Sequence, residues 1–367
     1  MRLGAAALLA GLLTLAACAP KIAVPPTPSD RLDLRPTGFE SLPGWAADRH
    51  AEVLDAFLRS CEKMLSQPDK PVGRDGLGGK GSDWLSPCLG ARKVAKGDHQ
   101  AARQFFEGAF RPWAAVAGDQ PEGLFTGYYE AELSGSRKRD AAHQVPLYGA
   151  PRDLVGNGDG ARYASRAEIE TAGLGDRAPV LLWLSDPVDL FFLQVQGSGR
   201  VKLPKGEVVR VGFAGSNGHP FTGIGKIMQD RGLLKPGEAS MQAIRAWLKA
   251  NPAQGRGLMR ENPRYVFFRL IEGDGPIGAQ GVALTAGRSL AVDPRFVPLG
   301  APLWLSTRDP DGLTLQRLMV AQDTGSAIKG AVRGDFFWGF GEPALEKAGR
   351  MKSRGRWWLL LPNGLKP

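Results

Sequence analysis

Apolar residues in the first third of the chain recur at the spacing of amphipathic helices. One helix is predicted over residues 45–65, where apolar positions fall at intervals of three and four. A second is predicted over residues 98–110, with its phenylalanines on or near the buried side. Residues 72–82 lie between them, contain five glycines and predict a loop. We expect these helices to pack against the rest of the molecule and to carry no chemistry.

From Leu124 onward the pattern changes to short apolar runs separated by glycine-rich turns. Strands are predicted over residues 124–132, 180–184, 190–196, 207–213 and 265–270. Residues 241–250 predict a helix, whereas residues 155–160 and 252–263 predict loops. This succession of short strands is typical of a mainly β fold.

The N-terminus has the pattern of a bacterial lipoprotein signal peptide. A short basic start precedes an apolar stretch at residues 5–15, which is too short to span a bilayer, and Leu15-Ala16-Ala17-Cys18 follows. We predict that residues 1–17 are removed and that Cys18 is lipidated. Ordinary cleavage after Ala19 is the alternative, although Pro20 would then follow the cut. No aspartate follows Cys18, which favours an anchor in the outer membrane of a Gram-negative bacterium, facing the periplasm.

Beyond the lipidation site, residues 18–36 are rich in proline and polar residues and are predicted to form a flexible tether. Two further cysteines, Cys61 and Cys88, would enter an oxidising compartment and could form a disulfide. Their separation along the chain permits a bridge, and two buried free thiols are the alternative.

The charge balance of the chain is basic. Its 367 residues include 47 Lys and Arg against 37 Asp and Glu, a formal net charge of +10. A basic protein is attracted to anionic polymers, and export favours the carboxylates of cell-wall peptides over nucleic acid. Because the basic residues are scattered, an ordinary solvated surface is the alternative interpretation.

Candidate chemistry is concentrated at residues 321–341, a glycine-rich segment without histidine or cysteine. Asp323 follows an apolar run that predicts a buried strand, so its carboxylate would lie at a strand end. Asp335 precedes three aromatic residues, which could exclude water and raise its pKa. An aspartic acid that keeps its proton near neutral pH can serve as a general acid. Alternatively, both aspartates only cap turns.

Several motifs resemble those of one family. The C-terminal segment resembles the 3D domain, a double-psi β-barrel module named for three aspartates, here Asp293, Asp323 and Asp335. Upstream motifs resemble the membrane-bound lytic murein transglycosylase A family and occur in the same order: Phe125-Thr126-Gly127-Tyr128-Tyr129-Glu130, Gln194-Val195-Gln196-Gly197-Ser198-Gly199, Ala214-Gly215-Ser216-Asn217-Gly218-His219, Gly223-Ile224-Gly225-Lys226 and Ser240-Met241-Gln242-Ala243-Ile244. The resemblance extends from about Phe125 to Leu361.

This resemblance implies a fold. A double-psi β-barrel domain would be formed by residues 37–127 and 263–367, with the N-terminal helices packed on it. Residues 128–262 would form a second, small β-domain inserted into the first. The groove between the two domains would hold a polymer.

The resemblance also implies an activity. A lytic transglycosylase cleaves the β-1,4 bond between N-acetylmuramic acid and N-acetylglucosamine in peptidoglycan. The muramoyl 6-hydroxyl attacks C1, so the product is a 1,6-anhydro sugar and no water is consumed. One carboxyl can then donate a proton and afterwards accept one. By resemblance we assign this role to Asp335, with Asp323 as an ionised neighbour that raises its pKa; the reverse order stays open.

Side chains that could hold a glycan lie in the upstream motifs and between the two aspartates. They are Thr126, Gly127, Tyr128, Gln196, Gly197, Ser198, Asn217 and Lys329. Glycines allow close approach of a ligand, and because strand neighbours face opposite ways, at most one of Tyr128 and Tyr129 should line the groove. The same motifs could instead be β-turns, and Lys329 could simply be solvated.

Two other classes of protein share features with this sequence. Asp323-Thr324-Gly325 resembles the triad of aspartic proteases, but those enzymes need two triads, so the chain would have to act as a homodimer. A non-catalytic, expansin-like glycan-binding lipoprotein would share the barrel and loosen polysaccharide without cutting it. The match across two domains favours the transglycosylase.

No metal or cofactor is predicted. The four histidines, at positions 50, 99, 143 and 219, are far apart and lack paired ligand spacing. No phosphate-binding loop of the nucleotide type occurs. The expected partners are peptidoglycan strands, the outer membrane through Cys18, and other proteins of wall synthesis or lysis.

Overall fold

The computed structural model of the protein describes residues 31–154, 162–273 and 275–367. The predicted signal peptide, the lipidation site Cys18 and the predicted loop at residues 155–160 lie outside these ranges. The strands are β1 (Leu32–Pro36), β2 (Phe110–Ala117), β3 (Gly123–Ser136), β4 (Val145–Tyr148), β5 (Val180–Leu184), β6 (Ser198–Lys202), β7 (Val208–Ser216), β8 (Val266–Ile271), β9 (Ser289–Val292), β10 (Pro302–Arg308), β11 (Thr314–Asp323), β12 (Arg333–Phe340) and β13 (Lys352–Pro362).

Along the chain, the helices of the described ranges lie between these strands. They are α1 (Leu54–Leu65), α2 (Leu85–Ala91), α3 (His99–Ala109), α4 (Arg166–Ala172), α5 (Pro187–Gln196), α6 (Ile224–Asp230), α7 (Met241–Ala250), α8 (Pro252–Arg260) and α9 (Glu342–Arg350). Among the helices of the described ranges, none combines the length and apolar composition needed to cross a bilayer.

The two N-terminal helices predicted from the apolar spacing are present. Short 3-10 turns occupy Trp45–Ala47 and His50–Val53, so α1 itself begins later than predicted. The side chain of Asp98 accepts a hydrogen bond from the Ala101 N–H and so caps α3. Cys61 of α1 and Cys88 of α2 form a disulfide, which resolves the two alternatives in favour of the bridge.

Six strands pair in a closed ring that carries most of the C-terminal sequence. The order around the ring is β3, β13, β10, β11, β9, β12 and back to β3. The β9–β11 and β3–β12 pairs are parallel, and the other pairs are antiparallel. Its buried side chains, such as Phe125, Leu290 and Phe336, belong to the same apolar core as Phe57 and Phe106 of the N-terminal helices. The helices therefore fold together with the ring.

The long strand β3 connects this ring to a second layer. Its first half pairs with β12 and β13, and its second half pairs with β6 and β5. Strands β7 and β8 extend the sheet beyond β6, and a separate apolar core forms there around Leu133, Leu182 and Val201. Helices α5 to α8 add a smaller cluster of their own. The result is a mixed, sheet-rich fold with helices.

Three secondary-structure predictions were wrong. Residues 190–196, predicted as a strand, lie in α5, which begins at Pro187 with the Asp186 carboxylate capping the Val188 N–H. Its apolar run is buried on nearly all sides, so it carries no helical period. Residues 252–263, predicted as a loop, are mostly α8, which also starts with a proline. The end of the predicted tether forms strand β1, which pairs with β2.

Candidate active site

Asp323 and Asp335 meet in one row across the ring. On strand β9, Ala291 pairs with Asp323 of β11 on one side and with Asp335 of β12 on the other. On the next strand, Thr126 of β3 pairs with Asp335. Because neighbouring strands lie about 4.8 Å apart, two carboxylates separated by one strand come within reach of a single sugar unit.

A β-bulge aims the Asp323 side chain. Ala321 pairs with Leu290 and Asp323 pairs with the very next residue, Ala291, so Gln322 is the extra residue of the bulge. The Gln322 side chain is fully buried and donates hydrogen bonds to the Ser60 hydroxyl and the Ala56 carbonyl, both at 2.8 Å. It also accepts a 2.6 Å hydrogen bond from the Ser289 hydroxyl. The strand end before Asp323 is therefore fixed to helix α1.

Asp335 sits in a partly buried position on β12. The Thr126 hydroxyl donates a hydrogen bond to its carboxylate at 2.5 Å, and Arg333 donates one at 2.8 Å to that same hydroxyl. Burial raises the pKa of Asp335 to about 6, and the nearby charge of Asp323 adds to this, while Thr126 and Arg333 oppose it. A carboxyl with this pKa is protonated in a useful fraction of molecules near neutral pH.

Asp323 has a different set of partners. Its carboxylate accepts hydrogen bonds from the backbone N–H groups of Ala279 and Thr324, each at 2.9 Å. Burial raises its pKa above the ordinary value, and these two N–H groups oppose the rise because they favour the ionised form. The pKa values of both aspartates are thus raised, but only the Asp323 carboxylate accepts hydrogen bonds from backbone N–H groups.

Tyr128 lies near both carboxylates. Burial, with the charges of Asp323 and Asp335 added, holds its pKa well above the usual range, so its hydroxyl stays protonated. Although it is near enough to Asp323 to influence that pKa, the hydroxyl makes no hydrogen bond of normal geometry with any described residue. Its ring packs against the ring of Phe337, with 5.1 Å between the ring centroids. Tyr129 packs in the second apolar core, so the two tyrosines face opposite ways, as predicted from strand alternation.

Asp293, the first of the three aspartates, directly follows strand β9 and is completely buried. Burial alone would raise its pKa, but the ion pair with Arg295 at 2.8 Å and the N–H groups of Gly330 and Arg295 outweigh burial and lower it. The Gly330 N–H lies in the segment between Asp323 and Asp335. Asp293 therefore anchors that segment as an ionised group.

The other predicted glycan-binding residues occupy several places. A Cβ at Gly127 would lie 2.6 Å from the Trp338 indole nitrogen, so this position faces away from Thr126. Gln196, Gly197 and Ser198 form the junction between α5 and β6, all partly exposed, with Gly197 in the left-handed conformation that ends the helix. Lys329 is exposed and lies in the chain segment that connects Asp323 to Asp335.

Asn217 is the predicted glycan-binding residue that is most deeply buried. Its side chain donates to the carbonyls of Ala164 and Pro263 at 2.9 and 2.8 Å, and accepts from the Tyr265 N–H at 2.8 Å. It is 1% exposed. In this structure Asn217 joins three backbone segments of the second layer.

Sequence reasoning missed two kinds of contributor. The N–H of Ala279 comes from a loop 44 residues before Asp323, and nothing in the local sequence connects the two. The role of Gln322 could have been inferred from the sequence, because a polar amide in a buried strand, directly before an aspartate, needs hydrogen-bond partners of its own. In the described ranges, no group of three or more His, Cys, Asp or Glu side chains is placed to hold a metal ion.

Two family models match this chain, one in each part of the sheet. The family model of the MltA specific insert domain matches residues 124–269, and that of the 3D domain matches residues 288–361. The chain thus belongs to the class of 3D-domain proteins that carry an MltA specific insert domain.

Relatives across most of the chain narrow this class further. The membrane-bound lytic murein transglycosylase A of Escherichia coli strain K12 is 35% identical over 276 residues, 72% of this chain and 72% of the relative. Its counterpart from Vibrio cholerae is 32% identical over 67% of this chain and 68% of its own length. The chain belongs to the membrane-bound lytic murein transglycosylase A family.

Solved structures agree with this assignment. A crystal structure of MltA from Neisseria gonorrhoeae matches with a TM-score of 0.80 and 37% identity, over 92% of this chain and 94% of that one. A crystal structure of E. coli MltA with bound chitohexaose matches with a TM-score of 0.67 and 28% identity, over 90% and 91% of the two chains. Chitohexaose is an oligosaccharide, so a member of this family has been seen with a glycan.

Proposed function

We propose that this protein is a lytic transglycosylase that cleaves the β-1,4 bond between N-acetylmuramic acid and N-acetylglucosamine in peptidoglycan without using water. The observation that carries the proposal is the row that brings Asp323 and Asp335 together across β9, with Asp335 partly buried. Burial raises the pKa of Asp335 to about 6, which suits a group that must both give and take a proton. Membership of a family named for this reaction supports it.

Asp335 acts first as the acid. Its protonated carboxyl donates to the glycosidic oxygen as the bond from that oxygen to C1 of the muramoyl residue breaks. The departing N-acetylglucosamine keeps this proton as its 4-hydroxyl. The carboxylate that remains then takes the proton of the muramoyl 6-hydroxyl while its oxygen forms a new bond to C1. Asp335 ends the cycle protonated, so no second acid or base is required.

The neighbours of Asp335 set its proton affinity and shape the site. The negative charge of Asp323 favours the protonated form of Asp335 and lies where it can stabilise positive charge that develops at C1. Tyr128 offers a protonated, unpartnered hydroxyl as a donor to the sugar. Thr126 and Arg333 form a chain that orients the Asp335 carboxylate.

The glycan lies in a groove between two domains. The six-stranded ring is a double-psi β-barrel within a domain of residues 37–127 and 263–367 that includes the packed N-terminal helices, and residues 128–262 form the inserted domain. Gln196, Gly197, Ser198 and Lys329 line the groove around the aspartates. This placement is supported by the exposure of Lys329 and the partial exposure of the other three, whereas the buried Asn217 stabilises the groove from within.

The protein is held at the outer membrane by a lipid on Cys18 and faces the periplasm. The lipobox pattern and the printed description of its relatives as membrane-bound support this. The anchor brings the enzyme to its substrate, the peptidoglycan strand, and to other proteins that build or cut the wall. Palmitate labelling of the expressed protein, lost in Cys18→Ser, tests the anchor.

Mass spectrometry of the products tests the activity. The soluble protein lacking residues 1–18 is incubated with purified peptidoglycan, and the released muropeptides are weighed. Products lighter by one water than hydrolytic fragments carry the anhydro ring and support the proposal. Products with a reducing end would identify a hydrolase, and binding without cleavage would identify an expansin-like module.

A further inference from the structure

An open cavity of about 380 Å³ lies beside the aspartate row, between the end of α1 and the loops before β9 and β10. Its lining includes three cationic side chains, Lys63, Lys70 and Arg74, and no acidic residue. All three are exposed. This concentration of positive charge at one cavity differs from the scattered basic residues that the sequence indicates overall.

The cations of this cavity have little competition from the protein's own carboxylates. In the described part of the chain, no carboxylate oxygen lies within 4.0 Å of the amine of Lys63 or of Lys70. Arg74 lies 3.6 Å from Asp75, but these side chains are 64% and 91% exposed, so the pair is weak. The three positive charges are therefore available to a ligand.

The cavity has a fixed position relative to Asp323. Ala279 lines it and donates its N–H to the Asp323 carboxylate. Gln280 also lines it, donates its N–H to the Gln322 carbonyl at 3.0 Å, and accepts from the buried Ser60 hydroxyl at 2.7 Å. One wall of the cavity is thus hydrogen-bonded to the strand end that carries Asp323.

We propose that this cavity binds the carboxylates of the stem peptide attached to the muramoyl residue being cleaved. The inference rests on the proposed function, because it takes its ligand from the same polymer. Muramic acid bears a short peptide with free carboxylates, and a glycan held at Asp323 and Asp335 would bring that peptide toward the cavity. Lysine and arginine side chains recognise carboxylates by charge-assisted hydrogen bonds. The cavity would therefore favour peptide-bearing strands over bare glycan.

The test compares two substrates with one triple variant. Lys63→Gln, Lys70→Gln and Arg74→Gln are combined, and kcat/KM is measured on intact peptidoglycan strands and on strands from which an amidase has removed the peptides. We expect the ratio of intact to bare substrate to fall roughly tenfold, since three exposed charge pairs, each of modest strength, are lost together. An unchanged ratio would overturn the proposal.

A matched control removes the same charge elsewhere. The control variant combines Arg92→Gln, Lys93→Gln and Lys96→Gln. These residues are exposed in the same helical region but lie outside this cavity, so the control variant should keep the wild-type ratio of kcat/KM values. An equal fall in this control would mean that only net charge matters and would also overturn the proposal.

Two further arms separate the remaining outcomes. If the cavity variant loses binding to vesicles that contain phosphatidylglycerol and keeps the substrate ratio, the cavity serves lipid phosphate and the proposal is wrong. Product masses are recorded in every reaction. If the wild-type protein forms no anhydro products from either substrate, the proposed function fails; if it forms them from both and the variant keeps the ratio, only the stem-peptide site fails.

Discussion

Replacing Asp335 by asparagine should remove activity and at the same time stabilise the fold. The free carboxyl has a pKa of 3.8, and burial raises it to about 6 in the folded protein. The folded state therefore resists ionisation of Asp335, and this penalty is present above pH 6 and absent below pH 3.8. The difference corresponds to about 3 kcal/mol. Asparagine keeps the acceptor for the Thr126 hydroxyl but cannot ionise, so it avoids the penalty.

Urea unfolding at two pH values measures the effect. At pH 8, Asp335→Asn should be about 2–3 kcal/mol more stable than the wild type, and at pH 4 the difference should shrink below about 1 kcal/mol. Activity on peptidoglycan should fall at least about 100-fold, which is the usual contribution of a general acid. A less stable variant at pH 8, or one with the wild-type rate, would refute the reasoning.

Asp309 provides a control of opposite sign. Burial tends to raise its pKa, but the N–H groups of Leu313 and Asp311 and the amine of Lys347 outweigh burial and lower it. Its ionised form therefore stabilises the fold above the ordinary pKa of an aspartate, and this stability is lost as pH falls through the lowered value. Asp309→Asn should be less stable than the wild type at pH 8 and keep its activity.

Three other changes test the surroundings of Asp335. Thr126→Val removes a hydrogen bond that favours the ionised carboxyl, so the alkaline limb of the kcat/KM profile should move up by about one pH unit; Thr126→Ser should leave it in place. Asp323→Asn removes a nearby negative charge, so that limb should move to lower pH, and an upward move would contradict the assignment. Gln322→Leu leaves its buried partners unsatisfied and should cost about 3 kcal/mol in urea unfolding, against under about 1 kcal/mol for Gln316→Leu on the same strand; equal losses would disprove the support role.

The local chemistry of the site was accessible from sequence because it depends on neighbours along the chain. An apolar run places Asp323 at a strand end, and the aromatic residues Phe336 and Phe337 after Asp335 are buried. Alternation along β3 separates Tyr128 from Tyr129. Each of these follows from two or three adjacent residues, so periodicity and composition are sufficient.

The long-range geometry was not accessible in the same way. Thr126 and Asp335 are 209 residues apart, and their hydrogen bond depends on the register of a parallel pair. Sequence patterns do not set which strands pair, so Thr126 could be proposed only as a glycan ligand. The strand predicted at residues 190–196 failed for another reason. A segment that is apolar on nearly all sides shows no periodic pattern of apolar and polar residues. The Asp186 cap and the proline at the first turn are then the features that favour a helix.

The pKa of Asp335 in the folded protein is the most direct test of its role as acid and base. It can be measured by following the carboxyl carbon resonances of protein labelled with ¹³C-aspartate as a function of pH, with the Asp335→Asn variant identifying the signal. A midpoint near 6 is the result we predict. A midpoint at or below about 4, the value of an unperturbed aspartate, would mean that Asp335 holds no proton near neutral pH and cannot begin the reaction.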